Sequence, residues 1–314
     1  MKSREMAAGA VLATVLLVLL FAAPTFFAPA NLRDLLLNSA GVMLVALGMT
    51  LVIVAGHIDI SVGSQFAVAS VAAGLLAKAG VPMPVMGILV LALGALLGAL
   101  NGFLITSLRI PSIVVTLATM IILRDFLRWN TEGAWVQNLP PGFQWAGLGQ
   151  SAGTMLILVK TLVVILLVAW CLRNLSAGRQ LFATGSNPIA AMLAGIRTDA
   201  VVTGVFVIMG ILSAAAAMLN AIRFSEVPGN PGAGLELKAI AAAVVGGASI
   251  TGGRATVGGT VLGVLLLSVI GSALTYLGIN PYWEKAVQGV ILLAAAASES
   301  ARQSRNAKRS YAGV

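Results

Sequence analysis

Residues 173–199 read RNLSAGRQLFATGSNPIAAMLAGIRTD, and a long apolar segment flanks them on each side. The stretch is polar, yet it carries a complete helix signal. Asn187 suits an N-cap, where its side-chain oxygen accepts from exposed backbone N–H groups. Pro188 suits the first helical position, where its missing N–H costs nothing. Gly195 suits the left-handed residue that ends a helix. Between the caps, Ile189, Met192, Leu193 and Ile196 recur at i, i+3, i+4 and i+7 and so share one face. A helix this short is marginal alone. The sequence predicts a peg that becomes firm when its apolar face enters a groove in another protein. Gly178–Thr184, with Arg179 and then Gly185, is the lead-in that aims it.

The flanking segments set the fold class. Hydrophobic residues make up 59% of the 314 and charged residues only 9%, against about 45–50% and about 25% in soluble domains. This predicts an all-α, polytopic integral membrane protein forming a single transmembrane domain over 1–314. A span needs about 20 apolar residues. Ten candidate segments follow: Met6–Phe27, Leu36–Ala55, Ile60–Ala77, Val85–Thr106, Ser112–Leu127, Thr154–Leu172, Ala200–Ala221, Leu237–Ala248, Thr256–Leu277 and Ala286–Ala297. Some are short enough to be re-entrant or broken. The apolar run after Lys2 and Arg4 is too long for a cleaved leader and Phe26-Phe27 is no small-residue cleavage site, so it reads as a retained first span. The 35 glycines favour close helix approach and interrupted helices.

The net charge of +9 fits a membrane surface better than nucleic acid, because no basic stripe with interleaved aromatics occurs. Threading the spans from a cytoplasmic N-terminus leaves both termini inside. Eleven basic residues then fall inside (Lys2, Arg4, Arg109, Arg173, Arg179, Arg197, Arg254 and four in the tail from Arg302) and seven outside. That bias follows the positive-inside rule and makes 173–199 cytoplasmic.

Two glycine-rich breaks sit at comparable places in the two halves. One is GHIDISVGS at 56–64, the other GGASITGGR at 246–254. Paired interruptions point to an internal repeat and a central pathway. Asp59 and Ser61 precede the third apolar segment, so Asp59 either caps the following helix or lines a cavity for a solute or ion. Asn101, Thr116 and Thr119 are polar groups within spans. Their ordinary use is interhelical hydrogen bonding; the sharper reading is a pathway for a hydroxylated solute. Glu236 and Lys238 flank a span start beside a turn-rich loop. Trp129–Gly153, with three tryptophans, reads as an outer loop anchored at the interface, or as a contact for a soluble partner or solute.

Several functions are excluded. His57 is the only histidine and Cys171 the only cysteine, so His57 cannot build a metal site alone, and no Gly-x-Ser-x-Gly elbow marks a nucleophile. No Lys follows a Gly, so the phosphate-cradling loop is absent and the chain itself should not hydrolyse ATP. No catalytic residue and no bound cofactor is expected. A proton relay through His57 and Asp59 lacks further acids in neighbouring spans.

Three stretches carry a resemblance. Residues 56–64 resemble the Gly-Gly-Ile-Asp-Leu-Ser-Val-Gly-Ser signature of the permease subunits of bacterial ATP-binding-cassette sugar importers of the ribose, rhamnose and autoinducer-2 kind, with His57 in place of the second glycine. Gly178–Pro188, continued by Ala190-Ala191 and Gly195-Ile196, is similar to that family's cytoplasmic coupling loop, with Ser186 where glycine is more usual. Residues 246–260 resemble its second-half glycine-rich segment. The resemblance implies an inner (plasma) membrane subunit, paired with an identical or sister permease, a cytoplasmic ATPase carrying ATP–Mg and a periplasmic sugar-binding protein. The region around Trp129–Gln150 looks most like the rhamnose and autoinducer-2 branch. Rhamnose or a related pentose or deoxyhexose is therefore the expected cargo, with autoinducer-2 as the alternative. The rival from another class is a proton-driven secondary carrier.

Overall fold

Inside a bilayer every backbone N–H and C=O must find a partner within the chain, and a helix meets that need segment by segment. The computed structural model describes residues 2–280, 283–291, 293–294 and 297. Its named elements are all helical. They are α1 (Lys2–Ala22), α2 (Pro29–Val54), α3 (Val62–Lys78), α4 (Met83–Ser107), α5 (Ser112–Thr131), α6 (Gln150–Asn174), α7 (Ser176–Ser186), α8 (Pro188–Leu193), α9 (Thr198–Ala221), α10 (Leu235–Val245) and α11 (Val257–Tyr276). Residues 283–291 are also helical. Residues 292 and 295–296 of the tenth expected segment and the basic tail from Arg302 lie outside the described residues.

Six of these helices, α1, α2, α4, α6, α9 and α11, are long and apolar enough to cross a membrane. Among the described residues the expected count of about ten is not confirmed, for identifiable reasons. Helix α3 is apolar but has only 17 residues. Helix α5 is long enough but ends in Arg124, Asp125 and Arg128. Helix α10 has 11 residues and begins and ends at glycines.

The spans occupy two environments. In α2, 89% of the apolar window is enclosed by the rest of the chain, against 11% in α1 and α6. Thus α2 is the hub, contacting α9, α10, α11 and α6, while α1 and α6 turn their apolar surface outward, as a lipid-facing helix must. The most extensive interface joins α4 and α9. Between lipid-exposed helices no hydrophobic driving force remains, so close van der Waals packing decides. Gly94, Gly98 and Gly102, spaced four apart, form the α4 side. A Cβ on them would lie 2.6 Å from Ala214 Cβ, 2.8 Å from the Phe206 carbonyl carbon and 2.8 Å from Thr203 Cα, respectively.

The loop 132–149 is folded against 222–229 at one end of the molecule. Val136 and Val227 exchange backbone hydrogen bonds at 2.8 and 3.0 Å, and Trp145 N donates to Ile222 O. Phe143 is buried beneath it, while Trp129 and Trp135 are exposed. The opposite end holds α7, α8 and both glycine-rich breaks.

Candidate functional site

Helix α8 forms with the caps its sequence specifies. Asn187 Oδ1 accepts from Ala190 N at 3.0 Å. At the other end Gly195 is left-handed (φ 82°). Its N–H donates to Met192 O, and Ile196 N donates to Ala191 O, both at 3.0 Å. That pair of bonds is the Schellman closure, which satisfies two carbonyls the helix end would otherwise orphan. Local chemistry alone therefore fixes where the peg begins and ends.

Its apolar face points away from the protein. Leu193 is 86% exposed, Ile189 72% and Met192 57%. Ile196 is half-buried, and Ala191 turns inward. Three contiguous large apolar side chains at a tip, outside the span segments, are the kind of patch that marks an interaction site.

The lead-in is not a loop but helix α7. Gly178 lets it turn sharply off α6, because a Cβ there would lie 2.8 Å from Leu172 Cα. Arg179 is exposed, whereas Leu181 and Thr184 are buried. At its far end Gly185 seats directly on the backbone of both breaks. A Cβ at Gly185 would collide with the Val54 carbonyl oxygen and lie 2.9 Å from Gly253 N. Those same two groups are bonded to each other, Gly253 N donating to Val54 O at 2.9 Å. Gly252 in turn approaches Gly56 Cα and the Gly185 carbonyl. Three segments distant in sequence thus meet at one point through backbone atoms. Gly56, Gly252 and Gly253 all have left-handed φ, at 83°, 88° and 71°, which bears on why glycine stands there. The sequence offered each glycine but no signal that they touch.

Beside this junction lies a polar cluster. Asp59 is fully buried. Its Oδ1 accepts from Ser61 N at 2.9 Å and Ser61 Oγ at 2.5 Å, and its Oδ2 from Gln65 Nε2 at 3.1 Å. Ser61 Oγ also accepts from Asn101 Nδ2 and Gln65 Nε2, both at 2.8 Å. Thr119 Oγ1 donates to Asn101 Oδ1 at 2.8 Å. Hence Asp59, Ser61, Asn101 and Thr119 are gathered into one enclosed network that ties the first break to α4 and α5. Thr116 is buried nearby and donates to Ser112 O at 2.8 Å. Gln65, which sequence reasoning passed over, is a member; its position four residues after Ser61 on a helix was the available signal. Both carboxylate oxygens of Asp59 are spent inside this network, whereas Gln65 Oε1 is buried without a partner among the described residues.

An exposed ion pair lies at the same end. Arg109, between α4 and α5, donates to both carboxylate oxygens of Asp199 at 3.1 and 3.4 Å. It links the first residues of α9, directly after the peg, to the α4–α5 corner. At 71% and 52% side-chain exposure such a pair contributes under about 1 kcal/mol.

Comparison with known proteins gives the arrangement a family. Residues 31–296 match the model described as the branched-chain amino acid transport system / permease component. The chain is 39% identical over 251 residues to the autoinducer 2 import system permease protein LsrC of Salmonella typhi, covering 80% of this chain and 72% of that protein. It is 36% identical over 287 residues to the LsrC protein of Escherichia coli (90% and 84%), and 34% identical over 293 residues to that of an Enterobacter species (93% and 85%). No solved structure matches. The resemblance carried by the three motifs holds at the family level. This chain is a multi-pass membrane protein that belongs to the permease-component family typified by branched-chain amino acid transport systems.

Proposed function

We propose that the chain is the membrane subunit of an ATP-driven importer whose cargo is autoinducer-2 or a closely similar small sugar-like solute. The observation that carries this reading is the outward apolar tip of α8, rigidly capped and mounted on the meeting point of both breaks. A tip so mounted has little use in a stand-alone carrier. It suits a part that receives a push from another protein and passes it to broken helices. Rhamnose, the first expectation from sequence, gives way here: the similar proteins at 34–39% identity are named as autoinducer 2 permeases.

In this reading Ile189, Met192 and Leu193 dock in a groove of a cytoplasmic ATPase that binds ATP–Mg. Asn187, Pro188, Gly195 and Ile196 hold the tip's shape, while Gly178, Arg179 and Gly185 aim it. A second permease and a periplasmic binding protein complete the importer, both termini lie in the cytoplasm, and the membrane is the bacterial inner membrane. Asp59, Ser61, Asn101, Thr116 and Thr119 set the shape of the first break at the edge of the pathway. The rival, a proton-coupled carrier through His57 and Asp59, draws no support from a carboxylate whose oxygens already accept three hydrogen bonds.

The test is uptake into proteoliposomes holding the complete importer, with autoinducer-2, ribose and rhamnose as cargoes. The reading requires uptake of autoinducer-2 or ribose that depends on internal ATP and ignores an uncoupler. Uptake abolished by the uncoupler and indifferent to ATP would replace it with the carrier.

A further inference from the structure

A cavity of about 460 Å³ lies at the start of α10. Val42, near the middle of α2, forms its floor, and Leu237, Lys238, Glu284, Gln288 and Gly289 are among its walls. Its polar groups converge. Lys238 Nζ donates to Glu284 Oε1 at 3.0 Å, and Gln288 Nε2 donates to the same oxygen at 2.9 Å. The three lie alongside α2 and α11, two of the candidate spans. Gly271, inside α11, backs directly onto Glu284, where a Cβ would lie 2.8 Å from Oε1.

Charges at that depth are costly, and they persist where they line a solute or ion path. A simple strut between α10 and the 283–291 helix would leave no room beside it. Here the pair faces a space within the roughly 300–1,000 Å³ range of small-molecule sites. The donor set has a definite chemistry. A carboxylate accepts from hydroxyls, whereas an ammonium and an amide donate to hydroxyl or ring oxygens. The ammonium carries three donors, and among the described residues one goes to Glu284. Helix α10 is short, with a glycine at each end, and interrupted helices of this kind hold solutes in membrane transporters.

The geometry points to this cavity as a station for a small, uncharged, polyhydroxylated solute on its way through the permease. Glu284 accepts from adjacent hydroxyls, and Lys238 and Gln288 donate to neighbouring oxygens. The station differs from the pathway residues expected from the sequence, because Asp59, Ser61, Asn101 and Thr119 are closed into one network while these three open onto space. It rests on the importer reading above.

The test uses the complete importer in nucleotide-free proteoliposomes. Cys171→Ala removes the single cysteine. Gly289→Cys then puts a reporter on the cavity wall, at a glycine whose Cβ would meet no atom within 4 Å. The rate of labelling by a water-soluble methanethiosulfonate is measured with autoinducer-2, ribose or rhamnose present. The solute that the importer takes up should slow labelling about tenfold at ten times its dissociation constant, in proportion to the free fraction. That protection should vanish in Gln288→Leu, which leaves the Lys238–Glu284 pair intact, and in the exchanged pair Lys238→Glu/Glu284→Lys. A strut would tolerate both changes, the second because it restores the bridge. Uptake without protection overturns the station, and protection that survives both variants overturns its assignment to these groups. If the importer takes up none of the three solutes, the importer reading itself falls and the station falls with it.

Discussion

Gly185→Ala is the sharpest probe of the link between the peg and the breaks. Gly185 lies in α7 with ordinary helical backbone, so alanine there is conformationally easy and by propensity should stabilise the helix by about 1 kcal/mol. The contact works the other way. The added methyl overlaps the Val54 carbonyl oxygen and lies 2.9 Å from Gly253 N, whereas carbon settles at about 3.5–4.0 Å from its neighbours. Helix α7 must therefore retreat by the order of an ångström. Overpacking of this kind costs about 1–3 kcal/mol, and loss of the buried Gly253–Val54 hydrogen bond adds about 1 kcal/mol. After the propensity gain the net cost is about 1–3 kcal/mol, enough to displace the junction without unfolding the spans. In proteoliposomes containing the complete importer, uptake should drop at least about tenfold, the equivalent of 1.4 kcal/mol, while ATP hydrolysis continues. Gly204→Ala on α9, where a Cβ meets nothing within 4 Å, should leave uptake unchanged. Wild-type uptake by Gly185→Ala, with α7 undisturbed, would refute the mechanical link.

Other outcomes follow from the same geometry. Leu193→Asp changes a side chain that is 86% exposed, so thermal unfolding in detergent should move little, by about 0.5 kcal/mol or less, yet uptake should be lost. Normal uptake would show that the tip is not a docking surface. Gly98→Leu forces a side chain into the α4–α9 seam, where even a Cβ lies 2.8 Å from the Phe206 carbonyl carbon; the yield of folded protein in the membrane fraction should collapse, and a normal yield would contradict the seam. Asp59→Ala strands the donors of Ser61 and Gln65 in the interior, at about 1–3 kcal/mol for each unpaired group, so it should unfold at markedly lower temperature. Asp59→Asn keeps an acceptor for Ser61, and its amide can be met by Gln65 Oε1, which is buried without a partner among the described residues. That variant should retain most uptake, while a proton carrier would lose it.

How much of this was legible in the sequence depends on the range of the interaction. The α8 peg was, since Asn187, Pro188 and Gly195 act on backbone groups three or four residues away. The outward direction of Ile189, Met192 and Leu193 was not, because one apolar face can dock outward or pack back, and only the position of α9 and α7 around it decides. The glycine-rich breaks were visible as breaks. That Gly185 sits on Val54 and Gly253 was invisible, because contact between segments about 130 and 70 residues apart leaves no local pattern. The expected span count and the helices part where apolar length and helical length diverge. Leu237–Ala248 reads as apolar, but α10 stops after 11 residues at Gly246. Asp59, Asn101 and Thr119 stood out in the sequence as polar groups in or beside apolar segments, but the links between them did not: Asp59 bonds to Ser61 and Gln65, Asn101 to Ser61, and Thr119 to Asn101. The groups that do face a cavity, Lys238, Glu284 and Gln288, are drawn from two segments that sequence treats separately.

The central claim is that the α8 tip receives the ATPase. A cysteine at Leu193 in the Cys171→Ala background tests it most directly, since Leu193 is the most exposed of the tip residues and Ala191, on the inward side, is buried. Disulfide or short bifunctional crosslinking in the intact importer should join this position to the ATPase subunit, at a yield that changes when ATP binds. A complex that remains intact and transports solute, yet gives no crosslink from Leu193→Cys to the ATPase, would contradict the account.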